Sequence, residues 1–311
     1  MKRALFAFAA APLLLAQAPP PASLTATSAD EIAANAPAAH WLAIDPDDIM
    51  VMDTAVGRMV IQLAPEFAPA HVAAIKTLVK AGRFDDGRIV RVQDNYVVQW
   101  VARPDPGKAP LSQPPDVREQ RKRPNPLPPE YERSADGLAF TPSPFKDSYA
   151  EAGFVAGWQA ARDSKAGPDG GSVWLAHCYG TVGVGRDMPP DTGDGAELYT
   201  VIGHGPRHLD RNIANVGRVL AGIEPHAALP RGTEALGFYK DEGQRTKVTR
   251  VRLASQIPGF PRWQMMDTAS PSFAAVVQAR ANRTGFFVRQ AGAADLCTLK
   301  VPTREVPREV K

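Results

Sequence analysis

Cysteine is almost missing from this sequence: Cys178 and Cys297 are the only two in 311 residues. A small scaffold stapled by many disulfides and a four-cysteine zinc site are both excluded. Whether the two thiols pair stays open, because spacing along a chain does not show proximity in space. Long apolar runs are missing too. The run from Leu5 to Leu15 is interrupted by Pro12 and falls short of the roughly 20 residues a membrane span needs. No later stretch approaches that length. Charge of one sign is scarce, with 36 Lys and Arg against 33 Asp and Glu, a net +3. Without Lys2 and Arg3 the balance is 3 − 2 = +1, which gives no general electrostatic reason for a nucleic-acid partner.

Familiar catalytic motifs are lacking as well. There is no Gly-x-Ser-x-Gly elbow and no P-loop. Gly183-Val184-Gly185 lacks the third glycine and the following helix of a dinucleotide loop. Asp191-Thr192-Gly193 follows Pro189-Pro190 and precedes Asp194-Gly195, so it reads as a turn and not as a protease triplet. His204 and His208 are four apart, but the Gly-Pro between them denies the regular helix a metal pair would use. His177 beside Cys178 is a weak zinc signal by itself.

Proline is what the chain has in excess: 30 residues, clustered, about twice the usual share. The 44% hydrophobic and 22% charged content is that of an ordinary soluble protein. Met1-Lys2-Arg3, the apolar Leu5–Leu15 run and the small Ala16 and Ala18 read as a secretory signal over residues 1–22. The expectation is export, to the periplasm if the source is bacterial, with no stable membrane insertion after cleavage. Residues 23–40, rich in Ala, Pro, Ser and Thr, read as a flexible lead-in.

From Ile49 to Leu63 the alternation of apolar residues predicts a β-hairpin turning near Ala55 to Gly57. Pro69 can open a helix, Val72, Ile75, Leu78 and Val79 recur at helical spacing, and Gly82 can close it. Ile89 to Val101 is strand-like. Pro104 to Gly170 reads as a long surface insertion with a short helix near Tyr149 to Ala161. Strand patterns return at Ser172 to Ala176, Gly180 to Val184, Leu198 to Ile202, Asn215 to Leu220 and Lys247 to Leu253. Ser270 followed by Pro271 predicts a helix start, and Cys297 to Val301 a last strand. Many short strands with few helices favour a closed β-barrel capped by helices. The predicted organisation is a domain over 41–256, with 104–170 as insertion, and a C-terminal extension over 257–311.

Several segments, in order from about residue 48 to 254, resemble the cyclophilin-type peptidyl-prolyl cis/trans isomerases. They are Ala68-Pro69 opening a helix, Gly82-Arg83-Phe84-Asp85-Asp86-Gly87, and Ile89-Val90-Arg91-Val92 followed by Tyr96, Val97 and Gln99. Gly180 to Arg186, Gly195-Ala196-Glu197-Leu198-Tyr199, and His208-Leu209-Asp210 with Val216-Gly217-Arg218-Val219 and Gly222-Ile223 complete the set. The resemblance implies a mainly β, cyclophilin-like barrel. It implies isomerisation of X-Pro bonds in proline-containing proteins or peptides, with no cofactor and no metal. Arg91 matches the family's catalytic arginine, and Gln99 its positioning glutamine. Tyr96, Val97, Tyr199 and Leu209 match the proline pocket, and His208 stands where many members have tryptophan. Gly185, Arg186 and Glu197 stand at substrate-backbone positions. Glu197 in place of glutamine, Gly185 in place of alanine and Ile213 in place of histidine are departures. They keep a second reading in view: a weak or inactive relative that binds proline-containing segments or acts as a chaperone. Glu197 is expected to pair with Arg91 and restrain it.

Overall fold

The computed structural model describes residues 27–103, 127–165 and 171–306. The expected signal at 1–22 and the proline-rich 104–126 lie outside the described residues. In chain order the elements are α1 (Ala29–Ala34), β1 (Trp41–Ala43), β2 (Ile49–Thr54), β3 (Gly57–Leu63), α2 (Pro69–Lys80), β4 (Arg88–Val92) and β5 (Val97–Val101). β6 (Arg133–Ser134), β7 (Phe140–Pro142), β8 (Glu151–Val155), β9 (Trp158–Asp163), β10 (Ser172–Leu175), β11 (Thr181–Val184) and β12 (Glu197–Val201) follow. The chain then continues through β13 (Asn215–Ala221), α3 (Glu224–Ala227), β14 (Val248–Leu253), β15 (Arg262–Met266), α4 (Pro271–Ala281) and β16 (Thr303–Val306).

Eight strands form an antiparallel sheet in the order β14-β2-β3-β13-β11-β12-β5-β4. Its two edges meet. Ile89 N donates to Thr246 O at 2.8 Å and Val248 N to Gly87 O at 2.9 Å, which sews β4 to β14 and closes the barrel. Met50, Met52, Ile61, Val98, Trp100, Val182, Leu198 and Val216 fill the interior. Every other residue of β2 therefore points inward, as a period of two requires. Ile49 and Val51 on its outer face are also buried, because Trp263 and Met265 of the C-terminal extension cover them. α2 begins at Pro69, buries Val72, Ile75 and Val79, and ends before Gly82, whose φ of 64° a side chain would strain.

The segment expected to be a surface insertion pairs with β10, the strand read just after its end, in a separate sheet, β6-β10-β9-β8-β7. The helix predicted near Tyr149 to Ala161 is instead the β8–β9 hairpin. Val155 pairs with Trp158 across a two-residue turn in which Ala156 and Gly157 both have positive φ, 46° and 85°. Such a turn matches the twist of paired strands. Ala152, Phe154 and Trp158 then find buried places in the packing against the rest of the fold.

The lead-in is not loose throughout. Ser28 and Glu31 cap each other's backbone at the start of α1, and Ala29, Ile32 and Ala33 pack beside Phe273, Val276 and Val277 of α4. β1, read with the barrel in sequence, pairs with β15 of the extension in a three-stranded sheet, β1-β15-β16. The strand expected at Cys297 to Val301 is a 3-10 turn over Leu296–Thr298, capped by the Asp295 carboxylate. The last strand starts later, at Thr303. Cys178 and Cys297 form a disulfide with Cα atoms 4.9 Å apart, joining the loop before β11 to the extension.

Candidate active site

Hairpin β4–β5 sets Arg91 opposite Gln99, and β5–β12 sets Gln99 opposite Tyr199. Both registers turn these side chains to one face. Arg91 is held from several directions. Its Nη1 donates to Gln99 Oε1 at 3.0 Å, its Nε to the Leu236 carbonyl at 2.6 Å, and its Nη2 to Gln93 Oε1. Its guanidinium carbon lies 5.5 Å from the Tyr96 ring centre and 5.4 Å from that of Phe238. Gln99 is buried, and its Nε2 donates to Glu197 Oε1. An amide that donates to Glu197 presents its oxygen to Arg91. Gln99 thus links Glu197 to Arg91.

A cavity of about 500 Å³ opens above this row. Arg91, Gln99, Gly185 and Glu197 give it a polar side. Tyr96, Val97, Tyr199, Leu209 and Ile213 give it an apolar side and pack on one another. Arg186, Asp187, Met188, Leu236 and Phe238 complete the lining. Of the residues singled out in sequence, Arg91, Gln99, Tyr96, Val97, Gly185, Arg186, Glu197, Tyr199 and Leu209 all come together here. His208 differs. Its ring stacks beside Tyr96 with centres 5.7 Å apart, and it faces a neighbouring cavity with Trp174 and Arg211. Arg186 keeps its guanidinium on the Asn212 carbonyl, at 3.1 and 2.9 Å, and on its own neighbour's carbonyl.

Behind the apolar side lies a buried polar chain that sequence reasoning missed. The Asp210 carboxylate accepts from the backbone N of His177 at 2.9 Å and faces Nδ1 of the same residue at 3.0 Å. His177 Nε2 faces the Tyr199 hydroxyl at 3.0 Å. Arg207 donates to Asp210 at 3.0 Å and grips Asp147 with two bonds of 2.8 and 2.9 Å. Burial pushes the His177 pKa down despite the facing carboxylate, so the ring is neutral. A neutral ring that donates from Nδ1 to Asp210 accepts from Tyr199 at Nε2. Burial likewise raises the Tyr199 phenol well above its usual range. For Asp210 burial acts upward, but the bonds from His177 and the Arg207 charge outweigh it and lower the carboxyl. His177 was weighed in sequence only as a metal ligand. Leu236 and Phe238 carried no local signal, since their partner Arg91 lies far away in sequence.

The sequence profile of the family described as cyclophilin type peptidyl-prolyl cis-trans isomerase/CLD matches residues 49–251. That span is more than half of the chain. The chain belongs to this cyclophilin family. Among solved structures, cyclophilin AquaCyp293 from Hirschia baltica aligns with a TM-score of 0.67 at 22% identity, covering 90% of this chain and 98% of that one. At that identity the likeness speaks for the fold alone. A Cryptosporidium parvum cyclophilin type peptidyl-prolyl cis-trans isomerase, solved in the presence of the dipeptide Ala-Pro, is more remote. Its TM-score is 0.38 at 10% identity, covering 66% of this chain and 98% of that one. No curated protein matches the sequence. Within the cyclophilin domain, Arg91 and the cavity beside it fall inside the matched span.

Proposed function

We propose that this cyclophilin isomerises X-Pro bonds in exported proteins, with Arg91 as the catalytic group. The observation that carries the reading is a guanidinium fixed at the polar side of a cavity whose other side is apolar. Rotation about an X-Pro bond breaks amide resonance, with a barrier of about 18–20 kcal/mol. In the twisted amide the prolyl nitrogen regains a lone pair. A donor placed there favours the twisted state over both planar ones, which is what catalysis requires. The proline ring occupies the apolar side, against Tyr96, Val97, Tyr199, Leu209 and Ile213. Each tenfold in rate requires about 1.4 kcal/mol of such preference.

Gln99 and the Leu236 carbonyl hold Arg91 before substrate arrives, so little reorganisation remains for the reaction itself. Tyr96 and Phe238 flank the guanidinium and present their ring faces to its charge. The Cys178–Cys297 disulfide and the signal-like start support an oxidising, exported setting.

The test is the isomerisation rate of a short X-Pro peptide with wild type, Arg91→Ala and Arg91→Lys, and circular dichroism as folding control. Arg91→Ala is expected to remove most of the catalysis with the fold intact. Arg91→Lys is expected to restore little, because an ammonium cannot donate to Gln99 and Leu236 in the same plane. Wild type without a rate above background would leave a protein that binds proline-containing segments without turning them over. Full activity in Arg91→Ala would move the catalytic role elsewhere in the cavity.

A further inference from the structure

The inner walls of the cavity have roles in the reading above, but its rim does not. Met188 and Leu236 both line the cavity, yet they are 73% and 50% exposed. Each thus presents an apolar side chain to whatever enters the cavity. Leu236 carries a second anomaly. Its backbone lies in the left-handed region, with φ 58° and ψ 16°. Glycine and asparagine sit there readily, whereas a leucine is strained. Gly237 follows at φ 78°, and a Cβ on it would lie 2.7 Å from Gln93 Cα, so the turn itself has a glycine where it needs one.

The turn brings the Leu236 carbonyl to Arg91 Nε at 2.6 Å. From residue 236 that bond takes only the backbone carbonyl, and glycine there would deliver the same carbonyl without strain. The leucine side chain is what the bond does not explain. Strain held at a site points to a function for the group it displays.

We propose that Leu236, together with Met188, determines substrate specificity by receiving an apolar side chain that flanks the proline. The inference rests on the isomerase reading of the same cavity and names its substrate class: X-Pro bonds beside apolar residues. Such segments are buried in folded proteins and exposed in unfolded ones. The enzyme is thereby directed toward clients that have not finished folding.

The experiment compares kcat/KM on X-Pro peptides carrying Leu, Ala or Glu on either side of the proline. Wild type, Leu236→Gly and Leu236→Asn are assayed, and each is melted. Wild type is expected to favour Leu over Glu at one flank by about tenfold, the scale of one apolar contact. Both variants suit the left-handed backbone, so they are expected to melt at or above the wild-type temperature. Their Leu-over-Glu ratio is expected to fall several-fold at that flank and to stay unchanged at the other. Unaltered ratios in active variants overturn the rim assignment alone. A wild type that does not discriminate also overturns it. Loss of fold in both variants overturns it by making Leu236 a packing residue. A wild type inactive on every peptide overturns the isomerase reading, and the rim assignment with it.

Discussion

Gly185 and Glu197 are one adaptation, not two. Gly185 N donates to the Glu197 carbonyl, so the residues are cross-strand neighbours. A Cβ at position 185 would lie 2.6 Å from Glu197 Cγ. The side chain of Glu197 crosses the space that an alanine at 185 would fill. Placed there, its carboxylate takes the Gln99 amide and turns the amide oxygen toward Arg91. The consequence is a testable non-additivity. Gly185→Ala is expected to destabilise the protein by about 1–3 kcal/mol through overpacking. In a Glu197→Ala background, with Cγ gone, the same change is expected to be nearly neutral. A double-mutant cycle on unfolding free energies measures the difference, and equal costs in the two backgrounds would refute the coupling. Glu197→Gln keeps the length of the side chain and, in the isomerase assay, is expected to leave activity level or raised. An amide can still accept from Gln99 while ceasing to hold it by charge.

The same logic runs along whole elements. β11 reads Thr-Val-Gly-Val and β12 reads Glu-Leu-Tyr-Thr-Val, and Gly183 pairs with Tyr199. The Tyr199 ring lies over Gly183 as Glu197 lies over Gly185. Gly183 in β11 and Gly185 just after it make room for large groups on β12. Elements that depend on local periodicity and turn chemistry were legible in the sequence: hairpin β2–β3, helices α2 and α4, and the strands of the barrel. Arg91, Val97, Gln99, Glu197 and Tyr199 of the candidate cavity sit on those strands, whereas Tyr96, Gly185, Arg186 and Leu209 lie in the connections between them. What sequence reasoning misread depends on contacts between distant segments. A short apolar run such as Ala152 to Ala161 has no period that separates helix from strand, and only pairing decides it. α1 is short and exposed on most of its surface, and α4 is what gives it a partner. Arg218 illustrates how such segments are held. From β13 it donates to Gln62 Oε1 at 3.0 and 2.9 Å and to the Gly157 carbonyl of the β8–β9 turn at 2.6 Å, over the Trp158 ring. Burial lowers its pKa to about 10, still charged at neutral pH. Arg218→Ala strands those acceptors and is expected to cost about 2–4 kcal/mol. Arg162→Ala removes only a surface pair with Glu151, worth about 0–1 kcal/mol. Thermal melts of both variants test the ranking, and equal losses would refute it.

At the scale of the whole molecule, the extension is part of the fold. It covers β2, pairs with β1, docks α1 and is tied to the loop before β11 by a disulfide across 119 residues of sequence. In the chain-entropy description a loop that long stabilises by about 4–5 kcal/mol. Cys178→Ser is therefore expected to lower the melting temperature by on the order of 10 °C. A shift within error would mean that the rest of the interface suffices to hold the extension.

The buried chain from Asp147 through Arg207, Asp210 and His177 to Tyr199 makes a different global property predictable, the dependence of stability on pH. His177 has its folded pKa below the ordinary 6.5, from burial. As pH falls below 6.5 the unfolded chain takes up this proton and the folded one does not, so stability is lost. Asp210 has its folded pKa below the ordinary 3.8, where the His177 bond and the Arg207 charge prevail over burial. Its contribution is present above 3.8 and disappears as pH falls through the folded value. Two windows therefore follow, one starting at the histidine value and one in the carboxylate range. One uncompensated proton tilts stability by about 1.4 kcal/mol per pH unit. His177→Phe removes this residue's share of the first window, leaving that of buried His226, whose pKa burial also lowers. It keeps a ring of similar shape but leaves the Tyr199 hydroxyl without its acceptor. The variant is expected to be less stable at pH 7.5, yet flatter than wild type between about pH 6.5 and 4.5. Melting temperatures across that range decide the matter. Parallel curves for wild type and variant would mean that His177 gains its proton in the folded state as easily as in the unfolded one, and that Asp210 compensates its burial in full.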